Sequence, residues 1–130
     1  MTTPPNPRSH PPFEIRPGSG IGPFRLGMTT DEVEAICRRY GLMNEGTIRS
    51  GLGIYFQDGR ATQIEIEAVH SLCLAGEVLT DRSDANVRRL IAKIAPEATD
   101  WTELEGLLIT HYELSDDYVF AFRVYATGHR

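Results

Sequence analysis

The residues in this chain that could do chemistry are four histidines, two cysteines and a run of acids. Metal ligation needs histidines or cysteines at short spacings that one helix or loop can converge. His10, His70, His111 and His129 show no such spacing with each other or with Cys37 and Cys73. Ser-His-Asp chemistry needs three oriented residues, and no G-x-S-x-G nucleophile elbow is present. Asp116-Asp117 has the composition of a carboxylate pair, but adjacent residues in a turn point different ways and read as a solvated turn. Gly18, Gly20 and Gly22 suggest a phosphate loop by type alone. Their spacing is that of neither a dinucleotide fingerprint nor a P-loop. The expectation is a protein that is not an enzyme, with no cofactor and no metal.

Binding chemistry is more legible. The net charge is −5, and from Glu97 to Asp117 there are seven acids and no Lys or Arg. A general nucleic-acid binder shows the opposite sign, because phosphate contact depends on basic patches. An acidic surface suits a basic protein partner and speeds encounter with it. Tyrosine adds large contact area with a polar tip. The candidate binding residues are Tyr55, Glu65, Glu67, Glu103, Glu105, Tyr112, Asp116, Asp117 and Tyr125. The plain alternative is that the acids serve solubility and the tyrosines are ordinary solvent-face residues. A second functional reading is a small ligand-binding domain or enzyme, with a pocket between helices and sheet lined by His70, His111 or Cys73.

No apolar run approaches the ~20 residues that span a bilayer. No basic start followed by an apolar core marks a secretory signal. A cytoplasmic protein with no membrane partner is expected. With two cysteines, no dependence on disulfides is expected: Cys37 reads as a small buried hydrophobe, and a Cys37–Cys73 bridge would require an oxidising compartment.

The elements that must position these residues follow from local pattern. Residues 1–12 hold five prolines and little that is apolar, so a disordered tail is expected before a single domain over 13–130. Residues 13–16 alternate as a short strand. Thr29 is a helix cap with Glu32 three residues on, a capping box, and Met28 and Val33 form a hydrophobic staple. Val33, Ile36, Cys37 and Tyr40 make the apolar stripe of a helix over about 30–40, ended by Gly41. Residues 43–50 read as a ragged strand. Residues 51–56 and 61–68 are strands joined at Asp58-Gly59, the pair that a type I′ hairpin favours. Residues 71–79 form a further short strand with a bend at Gly76. Ser83 caps a second helix with Val87, Leu90, Ile91 and Ile94 as its stripe, stopped by Pro96. Residues 101–112 read as a long strand around Gly106, and 118–126 as a last strand rich in aromatic and β-branched residues. Arg38-Arg39 and Arg88-Arg89 read as arginines snorkelling at helix surfaces.

An internal repeat organises these elements. Thr29 and Val33 match Ser83 and Val87 at one offset, and each copy reads helix, link, strand, turn, strand. The copies are 24–79 and 80–126. Neither buries its apolar side alone, so two are expected to pack together. The expected fold is α+β: a mostly antiparallel sheet of about five or six strands with two helices on one face. The free sheet face then carries Tyr55, Gln63, Glu65 and Glu67 from one copy, and Thr110, Tyr112, Arg123 and Tyr125 from the other.

The stretch Leu26-Gly27-Met28-Thr29-Thr30-Asp31-Glu32-Val33 resembles the GMT-x-x-x-V helix start of the small outer-membrane lipoprotein A family, the BamE type. The tandem helix-plus-sheet layout is similar to that of the β-lactamase inhibitor protein, which implies a concave sheet that grips a protruding element of its target. The longer stretch from Ile15 to Met28 is similar to small bacterial cytoplasmic proteins often regarded as toxin-immunity proteins or as uncharacterised. The chain departs from the lipoproteins in lacking a lipidated cysteine near its start, and from the inhibitor in having single helices rather than helix pairs. These motifs specify how a helix begins, so the resemblance implies no site residue.

Overall fold

Local backbone chemistry sets the start of the first helix. Thr29 Oγ1 accepts from the Glu32 N–H at 3.3 Å, and the Glu32 carboxylate accepts from the Thr29 N–H at 2.9 Å. Both bonds satisfy donors that lie at the open end of a helix. The Glu32 carboxylate also accepts from the Thr29 hydroxyl at 3.2 Å, and the two bonds it accepts from Thr29 hold it below the ordinary carboxylate range. The protein is described by a computed structural model over residues 11–44, 51–67, 70–114 and 117–127. The expected tail over 1–12 and the ragged strand over 43–50 fall largely outside these residues.

In chain order the elements are β1 (Phe13–Arg16), β2 (Gly20–Ile21), β3 (Phe24–Arg25), α1 (Thr30–Tyr40), β4 (Leu52–Gln57) and β5 (Arg60–Glu67). There follow β6 (Leu72–Leu74), β7 (Glu77–Val78), α2 (Asp84–Ile94), β8 (Glu103–Leu104), β9 (Leu107–Leu114) and β10 (Asp117–Tyr125). The class is α+β with mostly antiparallel pairing, as expected. The strands divide between two five-stranded sheets, ordered β3-β2-β1-β6-β7 and β4-β5-β10-β9-β8. One pairing is parallel: β1 runs beside β6, with Phe13 opposite Leu72 and Glu14 opposite Cys73.

The turns explain why there are more strands than the alternation suggests. Ala75 and Gly76 both adopt left-handed backbone, at φ 55° and 82°. They make 71–79 a hairpin rather than one bent strand. A turn at Glu105-Gly106, left-handed at the glycine alone, breaks the expected strand over 101–112 into β8 and β9. Gly106 sits at φ 87°, and a Cβ there would lie 2.4 Å from the Gly18 nitrogen. Its carbonyl accepts from the Gly18 N–H at 3.0 Å and the Tyr125 N–H at 3.2 Å. That close approach ties the β1–β2 turn of the small sheet to the large one. Gly22 is likewise a packing glycine, since a Cβ would stand 2.5 Å from the Phe13 ring.

The β4–β5 hairpin turns at Asp58-Gly59, at φ 54° and 76°, as a type I′ turn requires. The strand that leads into α1 docks on this hairpin. The Gly27 N–H donates to the Ala61 carbonyl and the Ala61 N–H to the Met28 carbonyl, both at 2.8 Å. Helix start and sheet are therefore locked together at the stretch from Gly27 to Thr29.

One buried cluster joins all the layers. The core face of the large sheet supplies Ile54, Ile64, Ile66, Leu107, Phe122 and Val124. The stripes of both helices, Val33, Ile36, Cys37 and Val87, Leu90, Ile91, belong to the same cluster, with Phe13, Ile21, Phe24 and Leu72 of the small sheet. The helix-bearing side of the large sheet is thus its core side, and its other face is the outer one. Among the described residues, no helix is long and apolar enough to cross a membrane.

Candidate functional site

The outer face is set by pairing at the centre of the large sheet. β5 and β10 run antiparallel with Glu65 opposite Arg123, Gln63 opposite Tyr125 and Glu67 opposite Ala121. β4 adds Gly53 beside Glu65 and Tyr55 beside Gln63. β9 adds Leu108 beside Arg123 and Thr110 beside Ala121. Because side chains alternate along a strand, all of these lie on the face opposite Ile64 and Phe122, where Tyr55 and Thr110 are exposed while Gly53, Glu65 and Ala121 are buried. Tyr55, Gln63 and Tyr125 form one row across three strands, and Gly53, Glu65, Arg123 and Leu108 form the next.

Arg123 is the hub of the face. Its Nη2 donates to Glu65 Oε1 at 2.7 Å, and its guanidinium carbon lies 5.4 Å from the centre of the Tyr55 ring. The Glu65 side chain is only 10 % exposed and that of Arg123 34 %. An ion pair this enclosed is screened less by solvent than a surface pair. The contact is single rather than forked, and the buried Arg123 Nε has no acceptor among the described residues. The Tyr55 ring covers the guanidinium, and Tyr55 remains 40 % exposed. The Tyr125 hydroxyl donates to the Leu104 carbonyl at 2.9 Å. Its polar tip is thereby committed to β8, and its half-buried ring is what the face presents.

The centre of this face is therefore charge-compensated, and the acids lie around it in separate groups. Glu67 is half-buried at the end of β5, and Glu103 and Glu105 are exposed at the β8–β9 turn. Glu103 pairs with Leu108, whereas Asp117 opens β10 opposite Leu114. Those two partners stand six residue steps apart along β9, roughly 20 Å at about 3.3 Å per step. Glu103 and Asp117 thus stand by their backbones at opposite ends of β9. Tyr112 is placed by its backbone opposite Val119. Asp116 lies outside the described residues. Asp100 is used locally: it accepts from the Thr102 hydroxyl at 2.7 Å and the Thr102 N–H at 2.9 Å. Those bonds hold its carboxyl below the ordinary range.

The residues that would have favoured a catalytic pocket are dispersed. His70 is fully buried, and its N–H donates to the Glu67 carbonyl at 3.2 Å. His111 is exposed and stacks on Trp101, with ring centres 6.1 Å apart. His10 and His129 lie outside the described residues. Cys37 is buried on α1, Cys73 is half-buried on β6, and neither is in a disulfide. Burial pushes both thiols above the ordinary range. Among the described residues, no three His, Cys, Asp or Glu converge as a metal site. A hollow of about 370 Å³ runs beside α1, lined chiefly by Val33, Cys37, Leu42, Met43 and Phe56. A second, of about 240 Å³, lies beside α2. His70, His111 and Cys73 line neither.

Two features of the surface are not signalled by composition. Arg123 stands in the outer-face alternation, but its contacts to Tyr55 and Glu65 depend on strand order. Arg88 reads as a solvated helix arginine, yet its guanidinium carbon lies 5.4 Å over the Trp101 ring. No protein family, curated protein or solved structure matches this chain.

Proposed function

We propose that the protein is a non-catalytic bacterial binding module, of the inhibitor or toxin-immunity kind, that holds a basic protein partner on the outer face of its large sheet. The observation that carries this reading is the row Tyr55, Gln63, Tyr125 laid beside the compensated Glu65–Arg123 pair. Tyrosine and arginine are the residue types that dominate interface energetics, because each adds much contact area at small cost in ordering. Strand pairing and the Glu65 contact hold this centre in place, which lowers the entropy lost on binding. The rim acids Glu67, Glu103 and Glu105 suit a basic partner and would act chiefly on its approach. The cytoplasm suits such a protein, since reducing conditions would keep Cys37 and Cys73 as thiols.

The test is capture from the source cell with the intact chain as bait, at low and high salt, beside Tyr55→Ala and the charge reversal Glu103→Lys with Glu105→Lys. A basic protein retained by the native chain, lost with Tyr55→Ala and weakened with the reversals is the expected result. Capture that neither Tyr55→Ala nor the reversals change would remove the outer face from the reading. A second reading, a small ligand-binding domain, is favoured by the apolar hollow beside α1. A ligand there would protect Cys37 from alkylation, and mass spectrometry of the labelled chain would detect it.

A further inference from the structure

The arginines of this protein differ in what they do with their donors. Arg16 gives Nη2 to the Gly22 carbonyl at 2.8 Å, and Arg60 gives Nη1 to the Gly27 carbonyl at 3.0 Å. Arg89 is held by Asn86 and by Glu77, and Glu77 also pairs with Lys93. Arg123 is held by Glu65. Arg88, like Arg25, Arg38 and Arg39, makes no side-chain hydrogen bond or ion pair with the described residues, and what sets it apart from those three is the face of Trp101 beneath its guanidinium. That ring is itself supported from below, since Trp101 stacks on His111 and lies 6.3 Å from Phe120 of the core.

A guanidinium laid on an indole is oriented without using its N–H groups. Its planar fork remains available at the edge, and that fork matches a carboxylate in two parallel bonds. Beside it lies the hollow of about 240 Å³, whose walls include Arg88, Ile91, Ala92, Ala95, Pro96 and Trp101. Five of those six are apolar, and Arg88 is the only charged residue in the lining. Asp100, the nearest acid in sequence to Trp101, accepts from Thr102. The volume is below the range of about 300–1,000 Å³ usual for drug-sized ligands, and it fits one ring or branched chain.

We propose that this hollow binds a small apolar carboxylic acid, its carboxylate paired with Arg88 and its body against Trp101 and Ile91. The site lies on the flank of α2, apart from the outer sheet face, and stands whether or not that face binds a protein. Trp101 is the only tryptophan in the chain, so its fluorescence reports on this hollow. Phenylacetate is the probe, phenylethylamine its charge-reversed counterpart, and acetate the probe without a body. Ligand-observed NMR gives a second readout that does not depend on the indole.

Phenylacetate is expected to produce a saturable change with a dissociation constant near millimolar, a value suited to so few contacts. Phenylethylamine and acetate are expected to produce none. Arg88→Gln should weaken phenylacetate at least about tenfold, the usual worth of a hydrogen bond to a charged group. Arg88→Lys should recover only part of it, because an ammonium keeps the charge and loses the fork. Arg88 is exposed, so both variants are expected to keep the circular dichroism and melting temperature of the native chain. Absence of saturation, an equal response to the amine, or undiminished binding by Arg88→Gln in the NMR readout would each overturn the proposal.

Discussion

Two arginine–aromatic pairs sit on opposite parts of this molecule, and they are built differently. Arg123 lies over Tyr55 and is tied to Glu65, on strands whose pairing sets all three positions. Arg88 lies over Trp101 alone, on the exposed side of a helix. In the first pair the charge is compensated inside the fold, so the arginine serves as rigid contact area. In the second the guanidinium makes no ion pair with the described residues, although Asp84 lies one turn before it on α2, so its N–H groups are open to an anion. The same residue type therefore has a structural use where strands enclose it and a recognition use where only a ring supports it.

Breaking the enclosed pair should have the largest effect. Glu65→Ala leaves the Arg123 charge partly buried without its carboxylate. Loss of one partner from a buried pair costs about 3–5 kcal/mol, and the part-exposure of Arg123 reduces the expected loss to about 2 kcal/mol. Denaturant unfolding would measure it. Arg88→Gln under the same conditions should cost no more than about 1 kcal/mol, the worth of an exposed cation–π contact. Equal losses from the two variants would erase the distinction between the pairs.

Tyr55→Ala comes next in size. It removes the ring over Arg123 and keeps the ion pair, so a loss of about 0.5–1 kcal/mol is expected. In a double-mutant cycle with Arg123→Gln, Tyr55→Ala should show coupling, because the two side chains touch. The same cycle between Tyr55→Ala and Arg88→Gln should show none.

The smallest effect sharpens the other side of the comparison. Asp100 has its carboxyl lowered by Thr102 in the folded protein. A lowered folded value means its contribution is complete above the ordinary carboxylate range and is lost as pH falls through the lowered value. The turn that carries Trp101 should then loosen in acid, with a change in Trp101 fluorescence that Asp100→Asn abolishes.

Much of the framework was legible from residue order because it depends on neighbours a few positions apart. The capping box at Thr29 and Glu32, the left-handed stop at Gly41, the cap at Ser83 and the turn at Asp58-Gly59 are local backbone chemistry. The outer-face alternation of Gln63, Glu65 and Glu67 was equally legible, because period two is a property of one strand. Gly76 and Gly106 were harder to interpret. A glycine inside an apolar run permits a bulge, a bend or a full turn, and only the packing of the flanking strands selects among them.

Composition and spacing by themselves determined the α+β class, the two helices with their boundaries, and a surface whose chemistry is polar and tyrosine-bearing. Tertiary structure decided the division into two sheets, the parallel pairing of β1 with β6, and the separation of Glu103 and Asp117 along β9. It also decided that Arg123 meets Glu65, 58 residues away along the chain, and that Arg88 meets Trp101 across the end of α2. Caps and turns are settled by dihedral preferences within one segment. Contacts between distant residues are settled only when several segments bury their apolar faces together, and that shared burial chooses strand order and register.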